Sequence, residues 1–286
     1  MGLGELVTAT RASGSLKQLF AREWKRPSIQ DPPKLDDYVR ISSLSGLCAR
    51  EEVLCAKHQV TRKETLNGDT LLTFLHGTSL HWGLQNHALP ELGVLYGQWK
   101  CLGCGFAHGG VEKGFLVSEK VILRPETCSK CGNVSKGRGD QAFQYVEASF
   151  VNDEFRLTGH PDGFLVLPGL PGMGILEAKS IGGRNAWEVK QAPHYGHVIQ
   201  AQAYMWLSGL KWSIIFYWAK GEHGVDKAIA EHFVEYDEET IVNLKAMLTS
   251  IPNGTRSGLL PERVCATDSC TRANKCSVVK KCFAET

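Results

Sequence analysis

A mixed α/β fold is predicted by three features of this 286-residue chain. Helix-like and strand-like periodicities alternate along it. Two short apolar runs, 175–179 and 212–218, read as buried strands. Hydrophobic residues make up 43% and charged residues 22%, ordinary globular values for a chain long enough to bury a sizeable core. The same composition excludes a largely disordered chain, a collagen-like repeat and a coiled coil. No window approaches eighteen consecutive apolar residues, so a transmembrane helix is excluded and no membrane partner is expected.

Residues 1–38 contain Pro27, Pro32 and Pro33 and are expected to form an arm. Residues 38–60 carry a helical pattern, with Ser42 or Ser43 as its N-cap, and residues 70–89 carry a second that stops before Pro90. Residues 93–141 are glycine-rich, hold four cysteines in two pairs and predict short strands and turns. Strands resume from 144 to 166, where Phe150, Phe155 and Leu157 flank a turn at Asn152 and Asp153. The loop Gly159-His160-Pro161-Asp162-Gly163 follows, then an apolar strand over 164–167. A Gly/Pro turn leads into Ile175-Leu176-Glu177-Ala178-Lys179. A helix is predicted over 198–210, strands over 212–218 and 228–236, an Asp237-capped helix to about 248, a loop over 254–261, and a tail with four more cysteines.

The net charge of +2 neither demands nor forbids a nucleic-acid partner. The first twenty residues lack a basic stretch followed by an apolar run, which leads us to expect a cytoplasmic protein. Ten cysteines are too many for disulfides there, and their close spacing points to metal. Cys101-x₂-Cys104 and Cys128-x₂-Cys131 form two knuckles, each followed by a glycine, with twenty-three residues between the pairs. Four thiolates so spaced predict a structural zinc ribbon, against the alternatives of a rubredoxin-like iron site or a redox pair. Lys100, Lys113, Lys120, Lys130, Lys136 and Arg138 nearby are candidate phosphate contacts or simply a solvated surface.

Chemistry is suggested by Asp162, Glu177 and Lys179. Glu177 and Lys179 are two apart on an apolar strand, so both leave the same face. If Asp162 joins them, two carboxylates converge and need a cation between them. Oxygen ligands suit Mg²⁺ or Mn²⁺. A lysine beside that cation orients water and offsets developing negative charge, parts that suit phosphodiester hydrolysis.

These residues, with Gln200-Ala-Gln-Ala-Tyr204 downstream and Gly77-Thr78-Ser79-Leu80-His81 upstream, resemble the PD-(D/E)XK nuclease superfamily. More narrowly they resemble its RecB-like branch, which includes CRISPR-associated and phage exonucleases. The resemblance covers roughly residues 40–90 and 145–286. It implies a mixed sheet flanked by helices and a metal-dependent DNA exonuclease acting on single-stranded ends, in replication, recombination or repair in a bacterial or phage-infected cell. It implies His81, Asp162, Glu177 and the carbonyl of Ala178 as metal ligands and Lys179 as the catalytic lysine. Gln200 and Tyr204 would line the site; alone, each reads equally as a surface or core residue. It further implies a [4Fe–4S] cluster on Cys48, Cys276, Cys282 and a third tail cysteine, Cys265 in preference to Cys270, with a second zinc as the competing occupant. Cys55 reads as a small buried hydrophobe. The implied division is an arm (1–37), a helical part (38–92), a zinc-ribbon insertion (93–141), a catalytic core (142–252) and an iron–sulfur segment (253–286). Replication or recombination proteins are possible partners besides DNA. A structure-specific endonuclease, a non-catalytic DNA-binding scaffold and a redox sensor are the rival readings.

Overall fold

The structure, a computed structural model, describes residues 16–34, 37–110, 117–135, 142–182 and 186–285. Its strands in chain order are β1 (Arg26–Gln30), β2 (Val39–Arg40), β3 (Arg62–Leu66), β4 (Leu95–Tyr96), β5 (Gln98–Cys101), β6 (Ala107–His108), β7 (Phe143–Val146), β8 (Phe150–Asn152), β9 (Leu157–Gly159), β10 (Gly163–Leu165), β11 (Gly174–Gly182), β12 (Trp212–Lys220) and β13 (Ile229–Glu235). The longer helices are α1 (Ala49–Lys57), α2 (Gly68–Gly83), α3 (Tyr195–Ser208), α4 (Glu238–Ser257) and α5 (Val279–Ala284).

A five-stranded sheet in the order β13-β12-β11-β10-β4 forms the centre. β11 and β12 are parallel, and the other pairs antiparallel. A parallel pair needs a crossover, and α3 lies within it. This explains why β11 reads as continuously apolar. Ile175, Leu176 and Ala178 are all buried, because a strand in the middle of a covered sheet meets protein on both faces. Ala203, Tyr204 and Met205 of α3 pack with Ile241, Leu244 and Leu248 of α4 and with Phe164 and Ile175 of the sheet. Three smaller sheets, β2-β9-β8, β6-β5-β7 and β1-β3, surround this core. No helix among the described residues is long and apolar enough to cross a membrane.

Several local expectations are corrected. Pro27 lies in β1, paired with β3, rather than in a free arm. Proline is tolerated in such a two-stranded edge. Residues 38–60 are not one helix: β2 is followed by a 3₁₀ turn (Ile41–Gly46), and α1 begins after Cys48. The three-residue period of that turn sends Ile41 and Leu44 into the core together, which a helical reading of the same two apolar residues does not distinguish. Neither Ser42 nor Ser43 caps α1, and the Ser43 hydroxyl donates instead to the Arg40 carbonyl. α4 runs past Pro252 to Ser257, so part of the expected loop over 254–261 is helical. Gly254 sits where α4 crosses α1, and a Cβ built there would lie 2.9 Å from Val53 Cγ2. β4, placed by sequence in the insertion, is an edge strand of the central sheet. Lys113, Lys136 and Arg138 lie outside the described residues.

Candidate functional site

The loop from Gly159 to Gly163 joins β9 to β10 and delivers Asp162 beside β11. Gly163 pairs with Leu176, and a Cβ built there would sit 2.5 Å from Leu95 Cδ1, so a larger residue would have to displace that buried leucine. Asp162 is buried and held at both oxygens. Oδ2 accepts a hydrogen bond from the Ala178 amide at 2.6 Å, tying the loop to β11. Oδ1 lies 2.9 Å from His81 Nδ1. His81 comes from α2, whose N-cap Asn67 accepts from the Thr70 amide at 3.0 Å. α2 faces β11 at Gly77, where a built Cβ would meet Ser180 Oγ at 3.4 Å. A spacing of four then carries His81 along the same face, one turn on. Burial works to lower the His81 pKa, but the hydrogen bond and charge of Asp162 outweigh it and the imidazole is raised.

Glu177 and Lys179 project from β11 to the same side, as expected, and form an ion pair between Lys179 Nζ and Glu177 Oε1. Glu177 is only 1% exposed, and Lys179 is the one partner of its carboxylate among the described residues. Burial, reinforced by the charge of Asp162, pushes its pKa up to about 8 against the pull of Lys179. A buried carboxylate whose Oε2 has no hydrogen-bond partner among the described residues, beside a second carboxylate, is a donor set that fits a divalent cation. Burial also penalises the Lys179 ammonium, yet the charges of Glu177 and Asp162 prevail and its pKa is raised, so it is protonated at neutral pH.

Tyr204 and Gln200 are buried on α3 and do not line the cleft described next. The Tyr204 hydroxyl donates to the His160 carbonyl at 2.8 Å, bracing the loop that carries Asp162.

Two residues not singled out in the sequence join this group. The ligand atoms of His81, Glu147 and Asp162 all lie within 4.8 Å of one another, whereas Glu177 stands outside that set. Gln85 donates from Nε2 to Glu147 Oε1 at 2.9 Å and to the Asp162 carbonyl at 2.9 Å. α2 continues into a π-helical turn (Leu84–Ala88) that turns Leu84, Gln85 and Asn86 inward in succession. Neither residue sits in a recognisable spacing. A second unforeseen pair lies beside Lys179. The Tyr217 hydroxyl is 2.8 Å from His197 Nδ1, and burial together with Lys179 lowers the His197 pKa to about 4.

His81 and Glu147 form one wall of a cleft of about 830 Å³. Its other walls carry Phe74, Trp82, Tyr145, Asn86 and Gln144, and no lysine or arginine lines it among the described residues. Phe74 and Trp82 are exposed, at 54% and 44%.

The ten cysteines fall into two sets and two remainders. Cys101, Cys104, Cys128 and Cys131 converge, with sulfurs 3.7 Å apart for Cys101–Cys131 and for Cys104–Cys128. Thiolates at the corners of a zinc tetrahedron are about 3.8 Å apart, so the set fits a closed tetrahedral site. Gly105 and Gly132 close the knuckles at φ +73° and +71°, and their amides donate to the Cys101 and Cys128 carbonyls. His108 Nε2 lies 3.3 Å from Cys128 Sγ, a neighbour the spacing did not suggest.

In the tail, Cys48, Cys265, Cys276 and Cys282 line one cavity, and Cys270 is not among its lining residues. Arg50 and Arg263 both donate to the Cys282 carbonyl, and Arg272 donates to the Leu47 carbonyl at 2.7 Å. These bonds fasten the start of α1 to the tail. The four tail sulfurs do not meet the closeness that marks the first set. Cys55 is fully buried against Leu54 and Val278.

No family model matches the chain, and no curated protein matches it. Among solved structures, an alkaline exonuclease from Laribacter hongkongensis is similar at a TM-score of 0.41 and 14% identity, over 77% of this chain and 89% of that one. The same exonuclease in complex with dAMP gives 0.43 and 13%, over 78% and 90%. A phage-related exonuclease from Haemophilus somnus 129PT gives 0.32 and 13%, over 76% and 92%. At this level of likeness no residue role is carried across.

Proposed function

We propose that this protein is a Mg²⁺- or Mn²⁺-dependent deoxyribonuclease that hydrolyses phosphodiester bonds at the ends of single-stranded DNA. One observation carries the reading. Three separate elements bring an imidazole, two carboxylates and an ammonium together beside an open cleft, and Oε2 of the buried Glu177 carboxylate has no hydrogen-bond partner among the described residues. His81, Asp162, Glu177 and the Ala178 carbonyl would hold the cation, which when bound would polarise the scissile phosphate and lower the pKa of a water. Lys179 is protonated, so it would donate a hydrogen bond to a phosphoryl oxygen while water attacks phosphorus in line; the bond from phosphorus to the leaving oxygen breaks as the new one forms, the water gives its proton to solvent and the leaving oxygen takes one from solvent. Tyr204 acts through the His160 carbonyl by fixing the Asp162 loop, and Gln200 supports Tyr204.

Single-stranded DNA is supported by the walls of the cleft. The exposed rings of Phe74 and Trp82 give unpaired bases faces to stack on, which paired bases inside a duplex cannot use.

The remaining metals fit as structural groups. A zinc ion suits Cys101, Cys104, Cys128 and Cys131. A [4Fe–4S] cluster suits Cys48, Cys265, Cys276 and Cys282, because a cube of iron and sulfide keeps its thiolates further apart than a single ion does. The function is tested with end-labelled linear and covalently closed circular single strands in Mg²⁺ or Mn²⁺. Loss of the linear substrate alone supports exonucleolytic action, cutting of the circle makes the enzyme an endonuclease, and no cleavage of either in both metals refutes the proposal.

A further inference from the structure

We propose that Glu147 is a ligand of the divalent cation at His81 and Asp162, and that Gln85 is the residue that positions it. The inference rests on the metal-dependent reading above and adds to it a carboxylate that no motif contains.

Glu147 follows directly on the end of β7 and faces Asp162 across the cleft floor. Its ligand oxygen, an Asp162 oxygen and a His81 nitrogen lie within 4.8 Å of one another. Opposed oxygen ligands span about 4–5 Å across one divalent cation, so the three atoms are close enough to share one. Two carboxylates and an imidazole suit Mn²⁺ or Mg²⁺, the imidazole favouring Mn²⁺.

The placement is built. Gln85 is 7% exposed, and its amide nitrogen has two hydrogens and two acceptors here: Glu147 Oε1 and the Asp162 carbonyl, each at 2.9 Å. One side chain therefore ties together two acidic residues from different parts of the chain, through the Glu147 carboxylate and the Asp162 carbonyl. From the other side, Asn86 Oδ1 accepts from the Tyr145 amide at 2.8 Å, clamping β7 to the same π-helical turn. β7 is also paired with β5, where Phe143 stands opposite Cys101. The strand that ends in Glu147 thus begins at the cysteine ribbon, which gives that ribbon a part in the cleft. Glu147 and Asp162 share the one imidazole of His81, which leaves net negative charge in the cluster for a cation to offset.

The test measures Mn²⁺ binding by the full-length protein through loss of the free-ion electron paramagnetic resonance signal, alongside thermal melting without metal. Glu147→Gln, which keeps an oxygen for Gln85, is expected to weaken Mn²⁺ binding at least about tenfold, and Gln85→Leu about tenfold, the usual cost of losing a ligand's supporting partner. Glu147→Asp is expected to fall between Glu147→Gln and the unaltered protein, with melting within a few degrees. Unchanged Mn²⁺ affinity in Glu147→Gln, while Asp162→Asn loses it, overturns this inference and leaves the nuclease reading standing. Mn²⁺ binding that is absent from the unaltered protein, or indifferent to Asp162→Asn, overturns both.

Discussion

The cleft around Asp162 and the tail around Cys282 are built on opposite plans. At the cleft, His81 of α2 and Glu147 line an open space, and Asp162 and Glu177 are buried, with Glu177 held against the Lys179 ammonium. In the tail, four thiols line a cavity, Arg50 and Arg272 donate to main-chain carbonyls more than two hundred positions away, and Arg263 ties the tail to itself at the Cys282 carbonyl. The cleft keeps electrostatic tension that a substrate and cation would relieve, while the tail consumes its polar groups in holding the chain. The difference separates residues whose loss should change rate from residues whose loss should change stability.

The sharpest way to break the comparison is to alter one residue on each side. Asp162→Asn is expected to lower DNA hydrolysis by about 10²–10³-fold or more, with melting nearly unchanged, because it removes a charge that already repels Glu177. Steady-state rates and a melting curve check both halves. Cys48→Ser is expected to do the reverse first. It lowers the melting temperature of anaerobically purified protein by on the order of 10 °C and bleaches its visible absorption, with activity lost only as the protein unfolds.

A smaller effect is expected at the cleft wall. Trp82→Ala should raise KM for a single strand about tenfold, the worth of one base stack, with kcat within a few-fold. Equal loss in kcat would place the ring in the chemistry instead.

The smallest effect is one of pH. His197 is buried beside Lys179 with its pKa lowered to about 4. Between pH 6.5 and 4 the unfolded chain therefore binds a proton that the folded one refuses, so stability falls as pH drops through this window. His197→Gln should flatten the decline in melting temperature between pH 7 and 5. An unchanged slope would show that His197 is not what the folded state protects.

What the sequence made legible follows chemistry that needs particular residue types at fixed spacing. Glu177 and Lys179 share a strand face, so their ion pair follows from a period of two. Gly77 and His81 share a helix face, and the Cys-x₂-Cys knuckles carry their glycines with them. Gly159 and Gly163 announce the tight loop that delivers Asp162. Glu147 was hidden because its position depends on tertiary contact: Gln85 reaches it from a π-helical turn that no periodicity signals, and β7 places it through pairing with a strand some forty residues earlier. Spacing alone also left Cys265 and Cys270 open. The packing of the tail puts Cys265 on the cavity wall with Cys48, Cys276 and Cys282, and Cys270 beside Cys265. The segment 38–60 misled for a related reason. Ile41 and Leu44 satisfy a helical pattern and a 3₁₀ turn alike, and the core they enter decides between them.

The central claim is that β11 and the Asp162 loop form a nuclease centre. Its most direct test is hydrolysis of a linear, end-labelled single strand in Mn²⁺ by anaerobically purified protein, run beside Lys179→Ala protein of matched fold and metal content. The account predicts progressive loss of the strand with the unaltered protein, none with EDTA, and at least about a hundredfold less with Lys179→Ala. Equal cleavage by both proteins, or none by either with their metals in place, would contradict it.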